Sequence, residues 1–121
     1  MLVKGNILAK VFTVYSWTVK HGHCLEFVEA WKGFALWTIG QKGSSGSTRL
    51  FRDLDDPTHF MSVDSWENEE LLESIRKGME YGRRIDDLRK LSYNFASWPL
   101  ELEAENAIPL ERLGTRWKNC G

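Results

Sequence analysis

Residues 46–67 constrain the fold more than any other stretch of the chain. Two strand-like runs, Ser47–Leu54 and His59–Trp66, flank Asp55-Asp56-Pro57-Thr58. That separator has turn chemistry: aspartates bond nearby backbone N–H groups, and Pro57 fixes φ and removes a ladder donor. A β-hairpin is expected, ending at Trp66-Glu67, where a helical pattern begins. The stretch itself holds no nucleophile triad, metal cluster or phosphate loop, so its value is architectural.

The rest of the chain is read outward from the hairpin. Ala9–Val19 is rich in β-branched and aromatic residues and reads as a strand. One of its faces carries Val11, Thr13, Tyr15 and Trp17, the other Phe12, Val14 and Ser16. Neither is clearly polar, so both faces are expected to be covered, one by helices and the other by a second copy. Cys24–Ile39 spaces Phe27, Val28, Trp31, Phe34 and Ala35 in steps of three and four, a helix against a core. The Gly- and Ser-rich segment 40–46 reads as a flexible loop. It follows a helix and precedes none, so it fails as a phosphate loop.

After the hairpin, Asn68–Lys77 forms a short helical pattern with Ser65 as the expected N-cap. Gly78 interrupts it. A second pattern, Met79–Phe95, places Tyr81, Ile85, Leu88, Leu91 and Phe95 on one face, opposite a charged, solvated one. Ala96–Glu103 reads as the last strand, at an edge because of Pro99. Residues 1–103 thus form one domain, and residues 104–121 a tail in which Leu110, Leu113 and Trp117 could anchor one turn. The order is strand, helix, strand, strand, helical region, strand: an α+β, ferredoxin-like β-α-β-β-α-β arrangement with a four-stranded antiparallel sheet and helices on one face.

Composition narrows the function classes. A chain of 121 residues, 42% hydrophobic, supports one compact core. A net charge of −1 gives no pull toward nucleic acid. No apolar run of about 18 residues predicts a membrane span, and the N-terminus lacks signal-peptide features, so the expected location is cytoplasmic. Cys24 and Cys120 have neither disulfide-scaffold nor metal-site spacing. Six tryptophans point to a thick core, an aromatic cavity or a subunit interface, and the sequence alone does not choose among these.

The chain resembles the antibiotic biosynthesis monooxygenase-like family of the dimeric α/β-barrel superfamily over residues 9–102. The resemblance rests on the apolar first strand, on His21-Gly22-His23, on a helix with Phe27 and Trp31, and above all on the hairpin. There Gly46-Ser47 leads into Arg49-Leu50-Phe51-Arg52, then Asp53 through Pro57-Thr58, then Phe60 through Trp66-Glu67. It implies a homodimer, an apolar pocket between sheet and helices, and oxidation of small aromatic or quinol-type substrates by molecular oxygen with no metal or flavin cofactor. The haem-degrading branch of the superfamily uses an axial histidine in the helical region, and no His follows His59 here.

The expected function is therefore a cofactor-independent monooxygenase, with a non-catalytic dimeric binding or scaffold domain as the alternative, and a non-redox enzyme such as an isomerase as a third. The substrate-contacting residues expected are Tyr15, Trp17, Arg52, His59 and Trp66, and no catalytic residue is assigned. Each has a plain competing role: Tyr15 and Trp17 in core or dimer packing, Trp66 closing the strand-to-helix corner, Arg52 in a salt bridge with Asp53, Asp55 or Asp56. His59, like His21 and His23, is a natural base by its chemistry but is expected near solvent. The three histidines do not make a metal site.

Overall fold

The computed structural model describes residues 10–106. Four antiparallel strands, β1 (Val11–Val19), β2 (Ser44–Arg52), β3 (His59–Trp66) and β4 (Ser92–Glu101), form one sheet in the order β2-β3-β1-β4. Three helices, α1 (Cys24–Ile39), α2 (Glu69–Arg76) and α3 (Met79–Arg89), complete the ferredoxin-like α+β fold. The core lies between one face of the sheet and the helices, where Tyr15, Trp17 and Val19 of β1 meet Phe27, Trp31 and Phe34 of α1, Phe60 of β3 and Ile85 and Leu88 of α3.

The hairpin turn forms by the chemistry its residues dictate. Asp53 Oδ1 accepts the Asp55 N–H at 2.8 Å, Asp56 Oδ1 accepts the Thr58 N–H at 3.0 Å, and the Asp56 carbonyl accepts the His59 N–H at 3.0 Å. Pro99 stands in β4, an edge strand, as expected. Trp66 ends β3 and the helical region follows at once.

Several boundaries differ from the sequence expectation. The cap of α2 is Asn68, whose side chain accepts the Leu71 N–H at 2.9 Å; Ser65 remains inside β3. Asn68 wins because Ser65 is committed to cross-strand pairing with Phe12. The segment 40–46 is only partly a loop, since β2 begins at Ser44. Gly43, at φ +94°, packs so closely on Leu71 that a side chain there would drive into it. The second helical pattern stops at Arg89, not Phe95. Ser92 Oγ bonds back to the Leu88 carbonyl, Asn94 takes a positive φ of 53°, and β4 begins at Ser92, four residues before the expected start. Phe95 still faces the core, but from a strand: it stacks on Tyr15 with ring centroids 6.1 Å apart. The expected start of the first strand at Ala9, the thiol of Cys120, and the tail anchors Leu110, Leu113 and Trp117 lie outside the described residues.

The two faces of the sheet differ. Side chains alternate across a strand, so Thr13, Tyr15, Trp17 and Val19 turn inward and are buried, whereas Phe12, Val14, Ser16 and Thr18 turn outward and are only partly covered. The outer face continues through Met61 and Val63 of β3 to Trp98 and Leu100 of β4 and Phe51 of β2, the last three about half exposed.

Candidate functional site

The inner face is ruled into rows by strand register. Arg52, Phe60 and Trp17 stand side by side; Leu50, Ser62, Tyr15 and Ser97 make the next row; Thr48, Asp64, Thr13 and Pro99 the next. The Phe60–Trp17 end is aromatic. Trp17 packs edge-on against Phe27 at 5.2 Å and stacks on Tyr15 at 5.6 Å, and Phe27 meets Phe60 at 5.5 Å. Toward the other end the same face turns polar and is equally buried: Thr13, Ser62 and Asp64 are at most 1% exposed.

Asp64 dominates this polar end. Its Oδ1 accepts a hydrogen bond from Thr48 Oγ1, and its Oδ2 has no partner among the described residues. Burial pushes its carboxyl up to about 6, with the Thr48 bond acting in the opposite direction. The hydroxyls of Thr13 and Ser62 and the indole N–H of Trp66, in the adjoining row, are also buried without a partner. Buried polar groups are nearly always paired; three orphans beside a half-paired carboxylate mark a place where a polar ligand or water completes the set. Beside them, the Tyr15 and Tyr81 hydroxyls bond each other at 3.0 Å, joining β1 to α3. Burial raises both phenols above their ordinary range, Tyr15 the more strongly, while the Arg76 guanidinium at the end of α2 opposes the shift in each. Both are therefore neutral hydrogen-bonding groups at neutral pH, not bases.

Thr48, the hydrogen-bond partner of Asp64, lines an open volume at the β2 edge. A groove of about 730 Å³ runs between α1 and β2, lined by Val28, Trp31, Lys32, Phe60 and residues 48–52. Its floor is apolar and aromatic. Trp31, 8% exposed, brings a buried indole N–H with no partner. Arg52 lies over the Phe60 ring at 4.8 Å. Thr48 belongs both to the groove wall and to the Asp64 bond, so it connects the open volume to the buried carboxylate.

The sequence-derived candidates separate into three places. Tyr15 and Trp17 sit side by side in the inner core, Tyr15 at the margin of the polar cluster and Trp17 deep in aromatic packing. Trp66 closes the strand-to-helix corner, with its indole N–H orphaned. Arg52 reaches the groove, but the expected salt bridge with Asp53, Asp55 or Asp56 does not form among the described residues; the cation uses the Phe60 ring instead. His59 points to the opposite face of the sheet, bonding Ser16 and Asp53. His23 pairs with Glu26 at the start of α1. Asp64, Thr48, Ser62 and Tyr81 were not singled out from sequence. A signal existed: Phe60, Ser62, Asp64 and Trp66 alternate along β3, so once Phe60 and Trp66 are taken inward, Asp64 must be buried with them.

Compared by sequence, the chain matches no family model and no curated protein. Compared by fold, it is similar to a candidate antibiotic biosynthesis monooxygenase from Deinococcus radiodurans, with TM-score 0.72 and 20% identity over 82% of this chain and 99% of that one. It is similar also to SnoaB, a cofactor-independent oxygenase from Streptomyces nogalater, with TM-score 0.70 and 20% identity over 84% and 99% of the two chains. A conserved protein from Methanosarcina mazei matches with TM-score 0.70 and 14% identity, over 83% and 97%. The fold is thus that of the antibiotic biosynthesis monooxygenase-like proteins.

Proposed function

We propose that the protein is a cofactor-independent oxygenase that takes a small aromatic or quinol-type substrate in the groove between α1 and β2, with Asp64 as its base. The observation that carries this reading is the buried carboxylate, raised to about 6 and joined through Thr48 to the wall of an aromatic-floored groove. At pH 7 to 8 a carboxyl of that strength is mostly ionised, yet it is a stronger base than a surface aspartate. A substrate phenol on the groove floor gives its proton to Thr48 Oγ1 as Thr48 passes its own to Asp64 Oδ1. Trp31, Leu50 and Phe60 hold the ring, and Arg52 favours the anion that results. The electron-rich anion reduces molecular oxygen and combines with it. The O–O bond then breaks, one oxygen atom staying as a ring carbonyl and the other leaving as water with the hydrogen lost from that ring carbon and the phenol proton that Asp64 took up. The fold likeness to SnoaB supports the same reading. The test is oxygen consumption dependent on an added polycyclic phenol that keeps a ring C–H opposite its hydroxyl, with one quinone formed per oxygen consumed. No consumption across a broad panel that demonstrably binds the groove would overturn the proposal.

A second reading, a non-catalytic binding or scaffold domain, is favoured by one observation: Tyr15, Trp17, Phe27, Phe34 and Phe95 fill the volume between sheet and helices. Binding of the same panel without oxygen use selects it. In either case we propose a homodimer through the outer face, where Phe12, Val14, Val63, Trp98 and Leu100 form a contiguous apolar surface of the kind that two packed sheets bury.

A further inference from the structure

We infer that the groove between α1 and β2 selects aromatic phenols that carry a carboxylate at the far end of the ring system from the hydroxyl, with Arg52 holding the acid. This rests on the groove being the substrate site proposed above, and it names the substrate class that the site takes. Three cationic residues line the groove, Lys32, Arg49 and Arg52, and among the described residues no carboxylate does. The three are not equivalent. Lys32 Nζ is held by Glu29 at 3.0 Å, and Arg49 stands opposite Val63 on the outer face of the sheet. Arg52 remains, in the inner row with Phe60.

Two acids close to Arg52 in sequence are committed elsewhere. Asp53 accepts the Asp55 N–H at 2.8 Å and pairs with His59 at 3.1 Å, and Asp56 accepts the backbone N–H and the hydroxyl of Thr58 at 3.0 and 2.7 Å. Among the described residues Arg52 makes no ion pair; its Cζ lies 4.8 Å from the centre of the Phe60 ring. A cation over a ring face is attracted by the π system and still keeps its N–H donors. A guanidinium presents those donors as a planar fork that a carboxylate meets with both oxygens. The field of Arg52 favours the phenolate along the groove, and its fork is left for a permanent anion.

Strand register places that anion. Thr48 and Arg52 stand in inner rows of β2 with Leu50 between them, so about 13 Å of strand separates the two. The phenol belongs at Thr48, whose hydroxyl bonds Asp64. A carboxylate at that end meets the ionised Asp64 as a like charge, whereas at the other end it meets Arg52. The buried rings of Phe60 and Trp31 floor the groove. The groove is therefore polarised along its length. It opens beside α1, on the helix side of the sheet, away from the apolar face proposed for the second copy.

Calorimetric titration without oxygen tests this with three ligands that share a fused ring and a ring C–H opposite the hydroxyl. They are 1-naphthol, 5-hydroxy-2-naphthoate, whose acid is remote from the hydroxyl, and 1-hydroxy-2-naphthoate, whose acid is adjacent. At about pH 7.5 both carboxylates are ionised and the hydroxyls are not. At low salt the remote acid should bind about tenfold tighter than 1-naphthol, and most of that advantage should vanish at about 1 M salt. The adjacent acid should bind no tighter than 1-naphthol. In Arg52→Gln the ratio of remote acid to 1-naphthol should fall to about one, and Arg52→Lys, which keeps the charge without the fork, should restore part of it. A remote acid that binds no tighter than 1-naphthol or the adjacent acid, or an advantage that survives Arg52→Gln, overturns the inference. Admitting oxygen separates this result from the reading on which it rests. Preference for the remote acid without oxygen uptake keeps the selectivity and speaks against the oxygenase; uptake with no such preference does the reverse.

Discussion

The two faces of the sheet are made by the same strands and solve opposite problems. The inner face is covered by helices and packs rings closely, and its polar end, around Asp64, is buried with it. The outer face has no covering element among the described residues and keeps large apolar side chains half in solvent. Charge follows the same division. On the inner face a carboxylate is held above its usual range by burial; on the outer side a carboxylate is held below it by a histidine. The contrast shows that alternation along a strand does more than hide apolar residues. It lets one β-strand, β3, place Asp64 in a buried interior and His59 at a partly exposed rim five residues earlier, each with the chemistry its surroundings allow.

The largest test of this division is Trp17→Ala. If Trp17 belongs to the packed core rather than to a ligand wall, the substitution should cost about 3–5 kcal/mol in chemical denaturation; a loss under about 1 kcal/mol would return Trp17 to the binding site. Next comes Asp64→Asn, read as stability against pH. The folded state binds the Asp64 proton more tightly than the unfolded chain, whose value is near 3.8. Its contribution is therefore fully present below about pH 4 and is lost as pH rises to about 6, a loss on the order of 3 kcal/mol. Urea unfolding at pH 4 and pH 8 should show the parent losing that much more than Asp64→Asn. Equal pH dependence would mean that Asp64 is hydrated. On the outer face, Trp98→Arg should weaken self-association about 10²-fold with little change in the monomer's fold. Sedimentation of the parent as a monomer at micromolar concentration would remove the second copy from the account.

Much of the fold was legible in the chain because turn chemistry and periodicity agree locally. Asp55-Asp56-Pro57-Thr58 makes a turn wherever two strands flank it, and Cys24–Ile39 carries a clear helical face. The end of the last helix was not legible. Leu91 and Phe95 continue the spacing of Tyr81, Ile85 and Leu88, and only the third dimension shows that Phe95 reaches the same core from a strand. The site was half legible. Aromatic candidates stand out by type, but Asp64 looks like any strand aspartate until register sets it between Thr48 and Thr13. The Ser16–His59 and His59–Asp53 hydrogen bonds were hidden for the same reason: their partners are 43 and 6 residues apart.

The central claim is that Asp64, through Thr48, supplies the base for oxidation in the groove. The most direct measurement is the pH profile of substrate-dependent oxygen consumption in the parent and in Asp64→Asn. The account predicts a rate that rises through an apparent pKa of about 6, and falls about 10²-fold or more in the variant with the inflection gone. A profile and rate unchanged by the substitution would contradict it.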